Sequence, residues 1–478
     1  MKFSIPCIVF ILISSCFNKT PTYLNINLDV NHVGVSTCAS CHADVYHSFS
    51  KTGMGQSIRI ANRNNSNANF VDTLYDDKSQ YYYYPHFIGN EVAVDEYSIL
   101  NNDTIHHLTH IVSSIVGSGH HTNSHLIDNN GYLYQAPFTY YTQDSILDFP
   151  PGFEDDNNTR FSRKMGLECI ACHASYPDFV LGSENKFNSL PKAIDCERCH
   201  GPGELHVQAV ASGHIVDTST AVDYTIVNPK DLSIELQNEL CARCHLQGNT
   251  VLKEGKSFYD FRPGMYLHEI MDVYLPRFEN SQDSFIMASH VDRMKLSSCY
   301  INSNENISCI TCHNPHVSVK NNSIDFNKKC ISCHTINICK ETVKERAFLD
   351  NNCISCHMPN SKTIDIPHVK ITDHRIAIHN NQFEDTFDLS NEFLGLECIN
   401  NPRPTYESVA QAYLQQYERF DAKEFYLDSA FLYLKKINLN SKLGLRTYIH
   451  YLFLRKDFES IVNKVNQLGL EYFIEDNY

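Results

Sequence analysis

No tryptophan occurs in the 478 residues, and beyond the first fifteen no run is long and apolar enough to cross a bilayer as a helix. Positive charge is scarce too: 39 Lys and Arg stand against 55 Asp and Glu, a formal charge of −16. Phosphate backbones require a basic face, so this balance argues against nucleic acid as a partner. The missing indole is no general shortage of rings, since Tyr and Phe number 27 each. The length allows two or three domains.

What the chain has in excess is cysteine followed by histidine. Fourteen of its 19 cysteines fall in seven C-x-x-C-H pentads. These are Cys38, Cys41 and His42; Cys169, Cys172 and His173; Cys196, Cys199 and His200; Cys241, Cys244 and His245; Cys309, Cys312 and His313; Cys330, Cys333 and His334; and Cys353, Cys356 and His357. Chance would produce roughly 0.04 such pentads in a chain of this composition. The pattern reads as c-type haem attachment: two thiols one helical turn apart add to the haem vinyl groups, and the adjoining His lies under the iron as proximal ligand. Zinc ribbons pair two C-x-x-C knuckles around one ion, so seven is an awkward number, and they need no His after the second Cys. Disulfides are poorly served by this spacing. Seven covalently attached haems are therefore expected.

The stretch from Cys38 to His357 is 320 residues, which divided among seven pentads is about 46 each. That is too little polypeptide for a separate domain around each porphyrin. The haems should form much of the core and lie close together. The fold expected is mainly α with low regular structure, a multihaem cytochrome c domain carrying a small β-rich insertion and a C-terminal helical-hairpin region.

In chain order, residues 1–15 read as a targeting segment, with Lys2 as its positive end and Phe3–Ile13 as its apolar run. Leu12-Ile13-Ser14-Ser15-Cys16 resembles the lipobox of bacterial lipoproteins, which implies cleavage before Cys16 and lipidation of that residue. An ordinary secretory signal with an incidental Cys16 is the alternative; either exports the chain. The expected location is the bacterial cell envelope, periplasm or outer membrane, with the lipid as the only membrane contact.

Residues 16–35 read as a polar tether and 36–400 as the haem domain. Within it, 57–160 carries no pentad. There, runs such as Gln80–Phe87, Glu91–Leu100 and Tyr132–Tyr141, set between Asn and Asp clusters, read as strands. Gly117-Ser118-Gly119-His120-His121 is a glycine-rich loop from which His121 is expected to reach a haem iron; a His-rich metal site between His106 and His125 is the alternative. His47 and Met54, shortly after the first pentad, are further axial candidates, since both residue types ligate haem iron. Glu269–Leu275 reads as a short helix. Cys299, Cys339 and Cys398 belong to no pentad, and two of them could form a disulfide. Beyond Pro402 and Pro404, residues 401–478 show apolar positions at helical spacing in four segments, with second helices about 36 residues apart. That resembles tetratricopeptide hairpins.

Several stretches together resemble a family: Cys38–His42 with Thr52-Gly53-Met54, Cys196–His200 with Gly201-Pro202-Gly203 and His206, Cys309–His313 with Asn314-Pro315-His316, and Cys353–His357 with Met358-Pro359. They look like multihaem cytochromes with a cytochrome c-554-like domain, often fused to tetratricopeptide repeats and related to the hydroxylamine oxidoreductase and multihaem nitrite reductase group. The resemblance implies mostly bis-histidine haems, with His206 and His316 as distal ligands and with His368 and His374, after the last pentad, returning others. His290, just upstream of the fifth pentad, is a further candidate. The chain departs from that group's enzymes: no pentad ends in Lys, and the octahaem members have one haem more. Electron transfer to and from redox partner proteins is the expected function. The alternatives are an oxidoreductase acting on a small nitrogen or sulfur oxyanion at one five-coordinate haem, and partner docking on the C-terminal helices.

Overall fold

The computed structural model describes residues 22–27, 29–154, 157–279, 288–319, 326–335, 339–363, 365–378 and 392–469. The targeting segment and Cys16 lie outside the described residues.

Nine strands follow the first pentad: β1 (Ile58–Ile60), β2 (Leu74–Asp76), β3 (Tyr81–Ile88), β4 (Glu91–Leu100), β5 (Asp103–Ile111), β6 (Ser114–Val116), β7 (Thr122–Asn129), β8 (Tyr132–Tyr141) and β9 (Ile146–Asp148). They make two antiparallel sheets, ordered β2-β3-β4-β5 and β1-β6-β7-β8-β9. Local chemistry sets the hairpins. Asn101-Asn102 (φ 52° and 70°) and Asn130-Gly131 (φ 52° and 89°) supply the two left-handed residues of a tight two-residue turn. Tyr83, Val92 and Val94 of one sheet share a buried core with Ile115, Ile127 and Phe138 of the other, so the sheets pack face to face.

This corrects the expectation of a mainly α protein with low regular structure. The described residues form sixteen strands in five antiparallel sheets, and most of the helices are only one or two turns long. The physical reason is that the Tyr-, Val- and Ile-rich runs close a core of their own and need no porphyrin to bury their apolar faces.

Two small ladders follow, β10 (Asp178–Phe179) with β11 (Phe187–Ser189), and β14 (Asn360–Lys362) with β15 (Lys370–Thr372). A three-stranded sheet, ordered β12 (Asn249–Leu252), β13 (Met271–Phe278), β16 (Phe393–Cys398), lies between the pentads and the C-terminal helices. The short helix expected over Glu269–Leu275 is instead a single 3-10 turn, Leu267–Glu269, leading into β13. Met271–Leu275 is buried at every position, so the run lacks the alternation that separates strand from helix.

The C-terminal helices are α13 (Tyr406–Arg419), α14 (Glu424–Leu434), α15 (Lys442–Leu454) and α16 (Phe458–Leu468). Val251 and Tyr274 share one core with Ala410, Leu414, Leu427 and Leu452. Polar groups close the same contact: Asn249 Nδ2 donates to the Ala412 carbonyl at 2.7 Å, and fully buried Asp272 accepts from Ser408 Oγ at 2.5 Å and Lys253 Nζ at 2.6 Å.

Short helices carry the pentads. Those of α1 (Val35–Cys41), α3 (Leu167–His173) and α6 (Ile234–His245) end on their pentads, α4 (Glu197–His200) lies within one, and α9 (Cys309–Cys312) and α12 (Cys353–His357) start on theirs. Between them run α2 (Ala43–Phe49), α5 (Glu204–Ala211), α7 (His290–Lys295), α8 (Ser298–Asn302), α10 (Phe326–Ile331), which holds Cys330, and α11 (Val343–Phe348). Cys299, Cys339 and Cys398 form no disulfide.

Candidate haem centres

The third pentad is tied to the start of the chain. Glu197, 2% exposed, accepts from the backbone N–H groups of Val33, Gly34 and Gly203, each at 2.8 Å. Burial alone would raise its carboxyl pKa; His32, 3.7 Å away, and the three amides outweigh this and hold it below the ordinary value. Asn25 Nδ2 donates to the His200 and Pro202 carbonyls at 2.8 and 3.1 Å. Gly201 makes that approach possible: its φ is 74°, and a Cβ there would stand 2.7 Å from Asn25 Nδ2. Residues expected as a loose tether are thus packed against the third pentad.

Four pentad histidines face a second imidazole. His42 lies opposite His206 with ring centroids 6.5 Å apart and planes 24° from parallel. His200 lies opposite His316 at 5.9 Å and 16°, His245 opposite His290 at 5.6 Å and 20°, and His313 opposite His374 at 6.1 Å and 31°. A metal–imidazole bond of about 2 Å on either side of one ion puts two ring centroids roughly 6 Å apart. The four centroid separations match that distance, and His290 also lies 4.7 Å from His374.

The hydrogen bonds fit as well. His200 Nδ1 lies 2.8 Å from the Val227 carbonyl, His357 Nδ1 2.9 Å from that of Ala377, and His374 Nδ1 3.0 Å from that of Thr372. His206 Nδ1 lies 2.9 Å from the Asp223 carboxylate. A proton used there leaves Nε2 with its lone pair free for a metal. Burial, with neighbouring imidazoles adding to it, lowers His290 to about 2 and His374 to about 4, so both stay neutral.

The remaining candidates separate. His121 borders His290, and its Nδ1 accepts from Gln143 Nε2 at 3.0 Å. His47 lies 2.7 Å from Lys51 Nζ on the exposed helix α2. His368 bonds Asp148 at 2.9 Å and packs edge-on against Tyr141, on the β unit. Met54 is half-buried, its carbonyl accepting from Ser57 and Ile194. The histidines between His106 and His125 disperse: His106 bonds Glu96, His110 packs on Phe161, and His125 lies in the core on Phe138.

Thiols of different pentads meet. Cys38 neighbours Cys196, Cys172 neighbours Cys244, Cys241 neighbours Cys309, and Cys330 neighbours Cys353. These contacts join pentads one and three, two and four, four and five, and six and seven.

Two features escaped the sequence reading. Arg293 and Asp373, each 2% exposed, form a two-point ion pair at 2.9 and 2.6 Å that locks the helix bearing His290 to the segment bearing His374. Arg198 and Arg243 are buried between pentads. Their signal was present in Cys-Glu-Arg-Cys-His and Cys-Ala-Arg-Cys-His, the two pentads with a cation before the second cysteine.

Among known proteins, the chain is similar to the multiheme cytochrome MtrA of Shewanella baltica, 24% identical over 190 residues. The match covers 36% of this chain and 54% of that protein, so the chain spans about half the length of its relative. No family model and no solved structure matches.

Proposed function

We propose that the chain is an exported, lipid-anchored heptahaem c-type cytochrome that passes electrons through closely packed haems, most of them held by two histidines. The likeness to a multiheme cytochrome supports the class. The single observation that carries the reading is the four facing imidazole pairs, each contributed by one pentad and one distant histidine.

Haem attached at these cysteines would supply one-electron chemistry between ferric and ferrous iron. The chain's own residues do the rest. The pentad thiols fix each porphyrin. His42, His200, His245 and His313 would hold the iron from the pentads, with His206, His316, His290 and His374 as the ligands brought from elsewhere in the chain. The thiol contacts give an order, with haem three beside haem one, haem four between two and five, and six beside seven. Redox proteins are the donor and acceptor. No described helix is long and apolar enough to cross a membrane, and the membrane contact proposed is the lipid on Cys16.

Three measurements test this. Intact mass should show seven adducts of about 0.6 kDa each, and fewer would break the heptahaem reading. Electron paramagnetic resonance should show low-spin haem at no fewer than four sites, whereas predominantly high-spin, carbon-monoxide-binding haem would move the reading to an enzyme. Palmitate labelling of the mature protein checks the anchor, and an unlabelled product would remove it.

A further inference from the structure

Two arginines lie among the second, third and fourth pentads. Arg198 is 0% exposed and Arg243 8%. Arg198 Nη2 donates to the Ala171 carbonyl of the second pentad at 2.5 Å. Its Nε and Nη1, like Nε and Nη1 of Arg243, are buried with no hydrogen-bond partner among the described residues. The Arg198 guanidinium lies over the rings of Tyr259 at 4.5 Å and Tyr176 at 5.0 Å, and Arg243 over Phe261 at 5.5 Å. The hydroxyls of Tyr176 and Tyr259 are likewise buried and unpartnered. Both guanidiniums act on the thiols of Cys172, Cys199 and Cys244, one from each of the three pentads.

A guanidinium stays charged in any protein, and a buried charge is costly unless an opposite charge meets it. The aromatic faces stabilise the cations in part but accept nothing from their in-plane N–H groups. Four unpartnered guanidinium nitrogens and two unpartnered hydroxyls lie together here, and Asp195, the carboxylate that acts on Arg198, accepts instead from the Glu197 backbone N–H at 3.1 Å. The unpartnered atoms are a donor set built for an oxyanion.

We infer that Arg198, Arg243, Tyr176 and Tyr259 form a buried oxyanion site whose ligand is the propionate carboxylate of a haem carried by one of these three pentads. The inference rests on the haem reading above. A propionate suits the site better than a solute. The donor atoms are closed to solvent, and a haem attached at the adjoining cysteines brings its carboxylates into the interior with it. A carboxylate held by two guanidiniums stays ionised, and its charge no longer opposes the electrons the haem accepts.

The test uses the full-length holoprotein with haem isotopically labelled at its propionate carboxyls, read by redox-difference infrared spectroscopy. A labelled carboxylate band should move in Arg198→Met and in Arg243→Met and return toward its original place in Arg198→Lys. At least one haem should also fall in reduction potential in the methionine variants. Labelled bands unmoved in both would overturn the inference. If Arg198→Met does not fold, Arg243→Met and Arg198→Lys carry the same comparison. In a second arm, sulfite and nitrite are titrated into the wild type by calorimetry. Saturable binding that disappears in Arg243→Met would assign the site to a soluble oxyanion and overturn the propionate; absence of binding supports it. Intact mass separates the two levels. Missing haem adducts would sink the haem reading and this inference with it, while full adducts with unmoved bands would sink this inference alone.

Discussion

A histidine in this chain can be a ligand, an anchor or plain core, and burial with partners decides which. His125 is core: it is 0% exposed, stacks 4.2 Å from Phe138, and burial lowers its pKa to about 3. Such a group favours the folded state when neutral. Above its unfolded pKa near 6.5 it contributes fully; as pH falls from there toward 3 the unfolded chain takes up a proton that the folded chain refuses, and stability drops by up to about 1.4 kcal/mol per pH unit. His125→Leu should remove that part of the acid sensitivity. Hydrogen exchange of the β7 and β8 amides, compared between variant and wild type at each pH, checks it; identical pH dependence would refute it. His206 is of the other kind. His206→Ala should turn one low-spin haem high-spin and open it to carbon monoxide, and an unchanged spectrum would place another ligand opposite His42.

The pentads could be read from sequence because the haem attachment proposed for them would fix their spacing within five residues. A facing partner such as His316 opposite His200 is set by tertiary packing across 116 positions, which no local pattern encodes. His368 shows the same limit from the other side: it follows the last pentad closely, yet Asp148 and Tyr141 hold it on the β unit. Family resemblance singled out both residues and could not tell them apart.

Elements here are short, so single contacts set their orientation. α7 has six residues and could not hold His290 by helix propensity alone. The Arg293–Asp373 pair does this, with Asp373 immediately before His374. Breaking a buried pair at one end costs about 3–5 kcal/mol because the other charge is left unmet. Asp373→Asn is therefore expected to loosen His290 and His374 together, giving two altered haems by resonance where a direct ligand change gives one. An effect confined to one haem would show that the two segments are held separately. At this scale β3, β4 and β8 lay within a residue of where the sequence reading set them, because Asn, Asp and Gly turn residues bracket runs rich in Tyr, Val and Ile. β13 was misread because both its faces are covered.

At the scale of the molecule, the question is whether the C-terminal helices are an attachment or part of the haem domain. Pro402 and Pro404 mark a change of composition in the sequence. The core does not respect that line. Ala410, Leu414 and Leu427 bury Val251 and Tyr274 of the three-stranded sheet, whose β12 begins four residues after His245. Asp272 would keep Lys253 but lose Ser408 and Asn401, leaving a buried carboxylate short of two donors. Truncation after Asn400 should consequently destabilise β12 and β13 and disturb the fourth haem, whose His245 precedes β12, while the first haem, bound at Cys38 and Cys41 and flanked by His206, keeps its spectrum. Mass and spectra of the truncated protein decide between the possibilities. Seven intact adducts with unchanged spectra would make the helices a separable docking module, whereas loss centred on the fourth pentad makes them the outer wall of the electron path.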